Sequence, residues 1–247
     1  MSKSESPTIS ERDWQLDPSA AIAPQITRIM RERIIQCDLN PGDRTSESEI
    51  ARHYGVSRQP VRDAFIKLSD QGLLEVLPQR GTIVTRIGYH AVMDARFVRE
   101  SIEADIVRIL AANPDMTLIA ELRRQIEAQQ SLKGKDSRGF IRLDDAFHRT
   151  LAEAASKSGV WRQIEGLKAQ MDRVRYLSQT EFRVDMLIEQ HRRVVSKIEA
   201  GDIAGANTAI RLHLREVLKD LPQIIETESR FFNLPEEGMP PPAKAPI

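Results

Sequence analysis

The stretch PGDRTSESEIARHYGVSRQPVRDAFIKLSDQGLLEVLPQRGTIV, residues 41–84, decides the fold of the N-terminal third of this chain. Ser46 followed by Glu49 has the form of a capping box, in which a hydroxyl and a carboxylate satisfy N–H groups that the first turn of a helix leaves free. A helix is therefore expected to start there and run to about Tyr54, where Gly55 ends it. Ser57 is the next N-cap, and Pro60 falls in the following first turn, where a missing N–H costs little. Val61, Phe65 and Leu68 then recur at helical spacing to about Gln71, and Gly72 stops the run. Two short apolar runs follow, LLEVL (73–77) and TIVTRI (82–87). Pro78-Gln79-Arg80-Gly81 lies between them, which predicts a β-hairpin with glycine at its tip. Upstream, residues 20–37 place Ile22, Ile26, Ile29, Met30 and Ile34 on one helical face, and Asn40-Pro41-Gly42 turns the chain. Helix, helix, short turn, helix and hairpin is the order of a winged helix-turn-helix.

That order gives particular residues a chemistry. A recognition helix enters the major groove with its N-terminal residues toward base edges, and Arg58, Gln59 and Arg62 occupy that turn and a half. Arginine can bond O6 and N7 of guanine together and glutamine N6 and N7 of adenine, each pair giving about 1–3 kcal/mol of discrimination. Ser57 can serve the cap or a phosphate. Arg44 and Ser46 are placed to touch the phosphate backbone, and Arg80 beside Gly81 at the wing tip to reach the minor groove or a phosphate. Residues 25–86 hold ten Lys/Arg against eight Asp/Glu, so non-specific affinity should be modest and salt-sensitive.

Residues 41–65, PGDRTSESEIARHYGVSRQPVRDAF, closely resemble the pattern of the GntR family of bacterial transcription regulators. The likeness joins a proline-glycine turn, a capping box, the SRxPVR start of a reading helix and an RG-tipped wing at fixed distances. It implies a homodimer on a palindromic DNA operator, one recognition helix per half-site. Members often carry threonine where Gln59 stands, which leaves the base read there open.

From about residue 90 the pattern is helical throughout. Candidate helices are 90–112, 116–132, 137–157, 160–179, 183–200 and 203–221, with a short one at 223–231. Asn113-Pro114, Gly134, Gly159, Gly201-Asp202 and Pro222 are the breakers. Six or seven helices around an apolar interior make a bundle. Three histidines sit at core-facing positions of these helices. His148 lies among Leu143, Phe147 and Leu151, His191 among Ile188, Val194 and Val195, and His213 between Ile210 and Val217. Asp144 precedes His148 by one turn, and Asp145, three residues before it, is also within reach. Burying one neutral histidine is ordinary, but three with a carboxylate and nothing to hold would be costly. The economical reading is a divalent metal ion. Three nitrogens and one oxygen suit zinc, nickel, cobalt, iron or manganese without choosing among them.

Residues 96–113, 143–155 and 189–214 resemble the FCD ligand-binding domain of the FadR subfamily within GntR. Many such domains hold a metal through an aspartate and three histidines, which implies Asp144, His148, His191 and His213 here. The resemblance also implies a small organic acid as effector beside the ion, in positions the four ligands leave open. Arg99 matches a position where the family often has arginine, and Arg175 is a second cation for the acid; an i, i+4 pair with Glu103 is the competing role for Arg99. The resulting reading is a repressor, not an enzyme, whose operator affinity answers to that acid. A metal-dependent enzyme with a His3Asp site and a sensor of the metal alone are the alternatives.

The 247 residues suit two domains: a winged helix-turn-helix over 19–87 and a helical metal- and effector-binding domain over 88–232. Polar residues 1–18 and the Pro-rich 233–247 are expected to be disordered. Net charge is zero, so polyanion binding must come from local arrangement. Cys37 is the only cysteine, which excludes an intrachain disulfide or a cysteine-rich zinc site and fits the bacterial cytoplasm, with nucleoid association when on DNA. No apolar run is long enough to span a membrane.

Overall fold

The computed structural model describes residues 14–79, 81–132, 136–178 and 184–235. The arm expected over 1–18 and the tail over 233–247 lie outside these residues, apart from 14–18 and 233–235. The chain divides between Thr85 and Arg86 into two compact units.

The first unit contains α1 (Ile22–Ile35), β1 (Arg44–Thr45), α2 (Glu47–Tyr54), α3 (Arg58–Asp70), β2 (Leu74–Leu77) and β3 (Gly81–Val84). The Ser46 hydroxyl accepts from the Glu49 N–H at 3.1 Å and donates to its carboxylate at 2.9 Å, which fixes the start of α2. Gly55 ends that helix in the left-handed region at φ 64°, and Val56 N–H reaches back to Ala51 O. α1 packs on α3 through Ile26, Ile29, Met30 and Ile34 against Val61, Ala64, Phe65 and Leu68, all buried. α1 stops at Ile35, two residues early, because Cys37 turns left-handed and the N–H groups of Asp38 and Leu39 close on Arg33 O. β2 and β3 form the expected antiparallel hairpin, with Leu77 opposite Gly81, and β1 adds a short third strand.

In the second unit β4 (Ile87–Gly88) pairs parallel with β5 (Phe232–Asn233). The sequence places Ile87 in the hairpin, but that strand ends at Val84, and Ile87 and Phe232 are instead buried beside each other's strands. Eight α-helices and one short 3-10 helix (Ser229–Phe231) lie between them among the described residues: α4 (Tyr89–Ala112), α5 (Met116–Leu132), α6 (Ser137–Ala154), α7 (Ser158–Leu167), α8 (Ala169–Leu177), α9 (Val184–Glu199), α10 (Ile203–Leu214) and α11 (Val217–Thr227) are the α-helices. The sequence predicts one helix over 160–179; it breaks at Lys168, whose ammonium is drawn inward to Asp145 and Asp172, each at 2.8 Å. Pro222, read as a breaker, lies inside α11. The chain breaks earlier, at Arg215 and Glu216, and the proline forfeits one backbone bond without ending the helix. α4 packs along α10, α9 and α6, and α5 packs against α6 and α9. Val107, Ile119, Leu122, Phe147, Ile188, Val194, Ile198 and Ile210 form a fully buried interior. Among the described residues no helix is long and apolar enough to cross a membrane.

Candidate functional sites

In the first unit Arg58, Gln59 and Arg62 are exposed on the opening turns of α3. Arg58 lies 3.3 Å from Glu47 and Gln59 donates to Asp63 at 3.0 Å. Surface contacts of this kind contribute little and exchange readily for other partners. Ser57 holds the N-cap position, but its hydroxyl makes no cap bond. Arg44 is exposed on β1, while the Ser46 hydroxyl is committed to Glu49. Gly81 opens β3 at φ 89°, a conformation that favours glycine; Arg80 lies outside the described residues.

In the second unit α6 supplies Asp144 and His148, α9 His191 and α10 His213. All four are buried, and one donor atom from each lies within 4.8 Å of the others. Gln129 donates its amide N–H to Leu143 O at 3.3 Å, so its Oε1 faces His191 Nδ1 at 2.8 Å. Gln190 donates to Glu216 at 3.0 Å, so its Oε1 faces His213 Nδ1 at 3.0 Å. The Glu103 carboxylate lies 2.5 Å from His148 Nδ1. Each partner is an acceptor, so each Nδ1 carries the proton and each Nε2 presents a lone pair.

Those lone pairs face one another. His213 Nε2 lies 3.1 Å from His148 Nε2 and 3.2 Å from His191 Nε2, and Asp144 Oδ1 lies 3.4 Å from His191 Nε2. Asp144 Oδ1 has no hydrogen-bond donor. Four converging acceptors without a donor are repulsive unless a cation lies among them. Two donors each about 2.1 Å from one ion would stand about 3.0–3.4 Å apart, so the set fits a metal ion. Burial pushes His191 down to about 3 and His213 well below the ordinary histidine range, against the pull of Asp144. Burial would raise the Asp144 carboxyl, but Arg175 and the histidines outweigh it and hold it well below the usual range. Neutral imidazoles and an ionised carboxylate are the forms that bind metals.

A cavity of about 40 Å³ adjoins the cluster; its lining includes Asp144, His213, Arg99 and Arg175, the carboxylates Glu216 and Asp220, and the apolar Met171, Met186, Leu187 and Ile224. Arg99 pairs with Glu103 at 2.5 Å, the competing role read from the sequence, and also lines the cavity. Arg175 donates to Asp144 at 2.5 Å and to Asp145 at 3.3 Å. Asp145, the other carboxylate within reach of His148, is turned to Lys168 and Arg175. Glu103's bond to His148, and the roles of Gln129 and Gln190, are not evident from the histidine pattern. Gln129 did carry a signal, since it continues the buried stripe of Leu118, Leu122 and Ile126 as a polar residue at 0% exposure. His53 and His90 are exposed and remote from this cluster in sequence.

Residues 22–84 match the family model for bacterial regulatory proteins of the gntR family, and residues 94–216 match the FCD domain. The chain is 36% identical over 223 residues to the HTH-type transcriptional repressor RspR of Escherichia coli (strain K12), covering 90% of this chain and 98% of that one. The chain belongs to the GntR family. This GntR-family chain, which carries an FCD domain, is also 36% identical over 204 residues to an HTH-type transcriptional regulator in an unstable DNA locus of Streptomyces ambofaciens, covering 82% and 86% of the two chains. Its fold is shared with E. coli McbR/YncC, at a TM-score of 0.70 and 19% identity over 85% of this chain and 99% of that one. The two relatives at 36% identity are named as a transcriptional repressor and a transcriptional regulator, and the GntR-family protein described here is a transcription regulator, not an enzyme.

Proposed function

We propose that this regulator is a repressor that binds a palindromic operator as a homodimer and responds to a small carboxylic acid bound beside a divalent metal in its FCD domain. GntR-family regulators bind DNA operators, and the exposed heads of Arg58, Gln59 and Arg62 are the residues we assign to base edges. Arg44, Ser46, Ser57, Arg80 and Gly81 are assigned to the backbone or the adjacent groove. The repressor sign follows the name of the E. coli relative.

The observation that carries the metal is the convergence of three Nε2 lone pairs and the orphaned Asp144 Oδ1. Asp144, His148, His191 and His213 would hold the ion. When bound it would join α6, α9 and α10 and offer its remaining positions to a carboxylate oxygen. Arg99 and Arg175 orient the acid by charge-assisted bonds, and the methionine and leucine wall excludes water from its apolar side. A cavity of about 40 Å³ has room for roughly three waters, which suits a small acid rather than a long chain. The cavity also argues against the metal alone being the signal, since a pure metal sensor needs no second ligand pocket.

The test is fluorescence anisotropy on DNA flanking the protein's own gene, with zinc-loaded and chelated protein and a panel of small acids. A specific complex that one acid weakens by roughly 5–150-fold, the usual span of allosteric coupling, is expected. A protein that binds this DNA identically under every condition contradicts the effector reading.

A further inference from the structure

Six buried charged side chains interlock around the histidines. Glu103, Asp144 and Asp172 are negative, and Arg99, Arg175 and Lys168 positive; each is at most 5% exposed. Arg99 holds Glu103 at 2.5 Å, Arg175 holds Asp144 at 2.5 Å and lies 4.0 Å from Asp172, and Lys168 holds Asp172 at 2.8 Å. Half-buried Asp145, held by Lys168 at 2.8 Å and Arg175 at 3.3 Å, adds a fourth carboxylate and leaves one negative charge in excess. A divalent cation among the histidines would turn that into one uncompensated positive charge in a region largely shielded from water, where such charge is expensive. An anion arriving in the adjoining cavity restores the balance.

One link in this set is shared. Glu103 accepts from Arg99 through Oε1 and from His148 Nδ1 through Oε2, both at 2.5 Å. A carboxylate behind an imidazole raises its basicity as a ligand, and a guanidinium on the same carboxylate draws that effect away. Arg99 also lines the cavity, and its Nη2 is buried with no hydrogen-bond partner, a donor aimed at no protein acceptor.

We propose that Glu103 is a positioning residue that strengthens His148 toward the metal, and that Arg99 opposes it until an anionic ligand in the cavity engages the guanidinium. Acid and metal then bind with positive coupling, transmitted through Arg99, Glu103 and His148. The inference rests on the metal-and-acid reading above and specifies how its two occupants communicate.

The two residues carry opposite signs, which a merely structural role does not. Zinc affinity of the full-length protein, measured by competition with a chromophoric chelator, reads this directly. Glu103→Gln keeps an acceptor for His148 but loses the charge, and should weaken zinc roughly 10–100-fold, the span expected for partners of metal ligands. Arg99→Gln should tighten zinc, and Arg99→Lys should stay near wild type. Acetate, the minimal carboxylate probe, should tighten zinc more in wild type than in Arg99→Gln. Weaker zinc binding in folded Arg99→Gln, or unchanged affinity in Glu103→Gln, overturns the proposal while leaving the metal site standing. If Glu103→Gln does not fold, the sign of the Arg99→Gln effect decides alone. Wild-type protein that takes up no zinc overturns both this proposal and the reading beneath it.

Discussion

Arg175 donates to Asp144 Oδ2 at 2.5 Å, while Oδ1 of the same carboxylate turns to His191 Nε2 at 3.4 Å. One buried aspartate thus ties a cavity arginine to the histidine cluster. Asp144→Asn keeps the shape and removes the charge. Breaking a buried pair costs about 3–5 kcal/mol because the partner is left uncompensated. Asp145 at 3.3 Å and Asp172 at 4.0 Å still face Arg175, so the lower end, about 3 kcal/mol, is expected for metal-free protein. Urea unfolding of the chelated protein measures it, and equilibrium dialysis should show zinc uptake lost. Wild-type stability with intact uptake would count against this role of Asp144.

Arg62 is exposed on α3. Arg62→Ala should change stability by no more than about 0.5 kcal/mol, the usual range at such positions. Specific DNA binding should fall by about 1–3 kcal/mol, roughly 5–150-fold, if the side chain reads a base. Arg44→Ala, on β1, should instead weaken all sequences alike and reduce the salt dependence by about one counterion. Anisotropy titrations at several salt concentrations separate the two, and equal behaviour of both variants would contradict the division into base and phosphate contacts.

The winged helix was legible because its signals are local. A capping box, two glycine stops and an apolar spacing each decide a few neighbouring residues. β1 and the β4–β5 pair were not legible, since two-residue strands carry no periodicity and β4–β5 joins residues far apart in the chain. The break at Lys168 was hidden for a related reason: its cause is a tertiary pull from Asp145 and Asp172 on a residue that favours helix. In the His/Asp cluster the four donors stood out as polar residues on apolar faces. Glu103 did not, because Arg99 one turn away explained it fully. The pattern showed one of its two bonds, and the other required knowing that α4 passes behind α6.

Metal removal gives a third expectation. A ligand at a hundred times its dissociation constant adds about 2.7 kcal/mol to the native state. For a unit of this size that is roughly 5–10 °C in melting temperature. Chelation of zinc-loaded wild type should lower its melting temperature by that amount in differential scanning fluorimetry. His191→Ala removes one of the four donors and should make the protein indifferent to chelator. An unchanged zinc response in that variant would show that His191 is not a ligand.

Glu100 supplies the pH prediction. Its buried carboxylate on α4 accepts from Arg96 at 2.5 Å, from Arg211 of α10 at 2.9 Å, and from Arg215. Burial raises its carboxyl, but the three guanidiniums outweigh this and bring it from 4.5 down to about 2. A lowered carboxylate pKa means that the unfolded chain takes up the proton first. The stabilisation is therefore fully present above about 4.5 and drains away as the pH falls through about 2. Glu100→Gln cannot titrate and loses its charge-assisted bonds, worth about 1.5–3 kcal/mol for a hydrogen bond to a charged group. Urea midpoints for wild type and variant should thus stand apart at pH 6 and converge toward pH 2, the other carboxylates cancelling in the difference. A gap that stays constant over this range would mean that the arginines do not hold Glu100 in its ionised form.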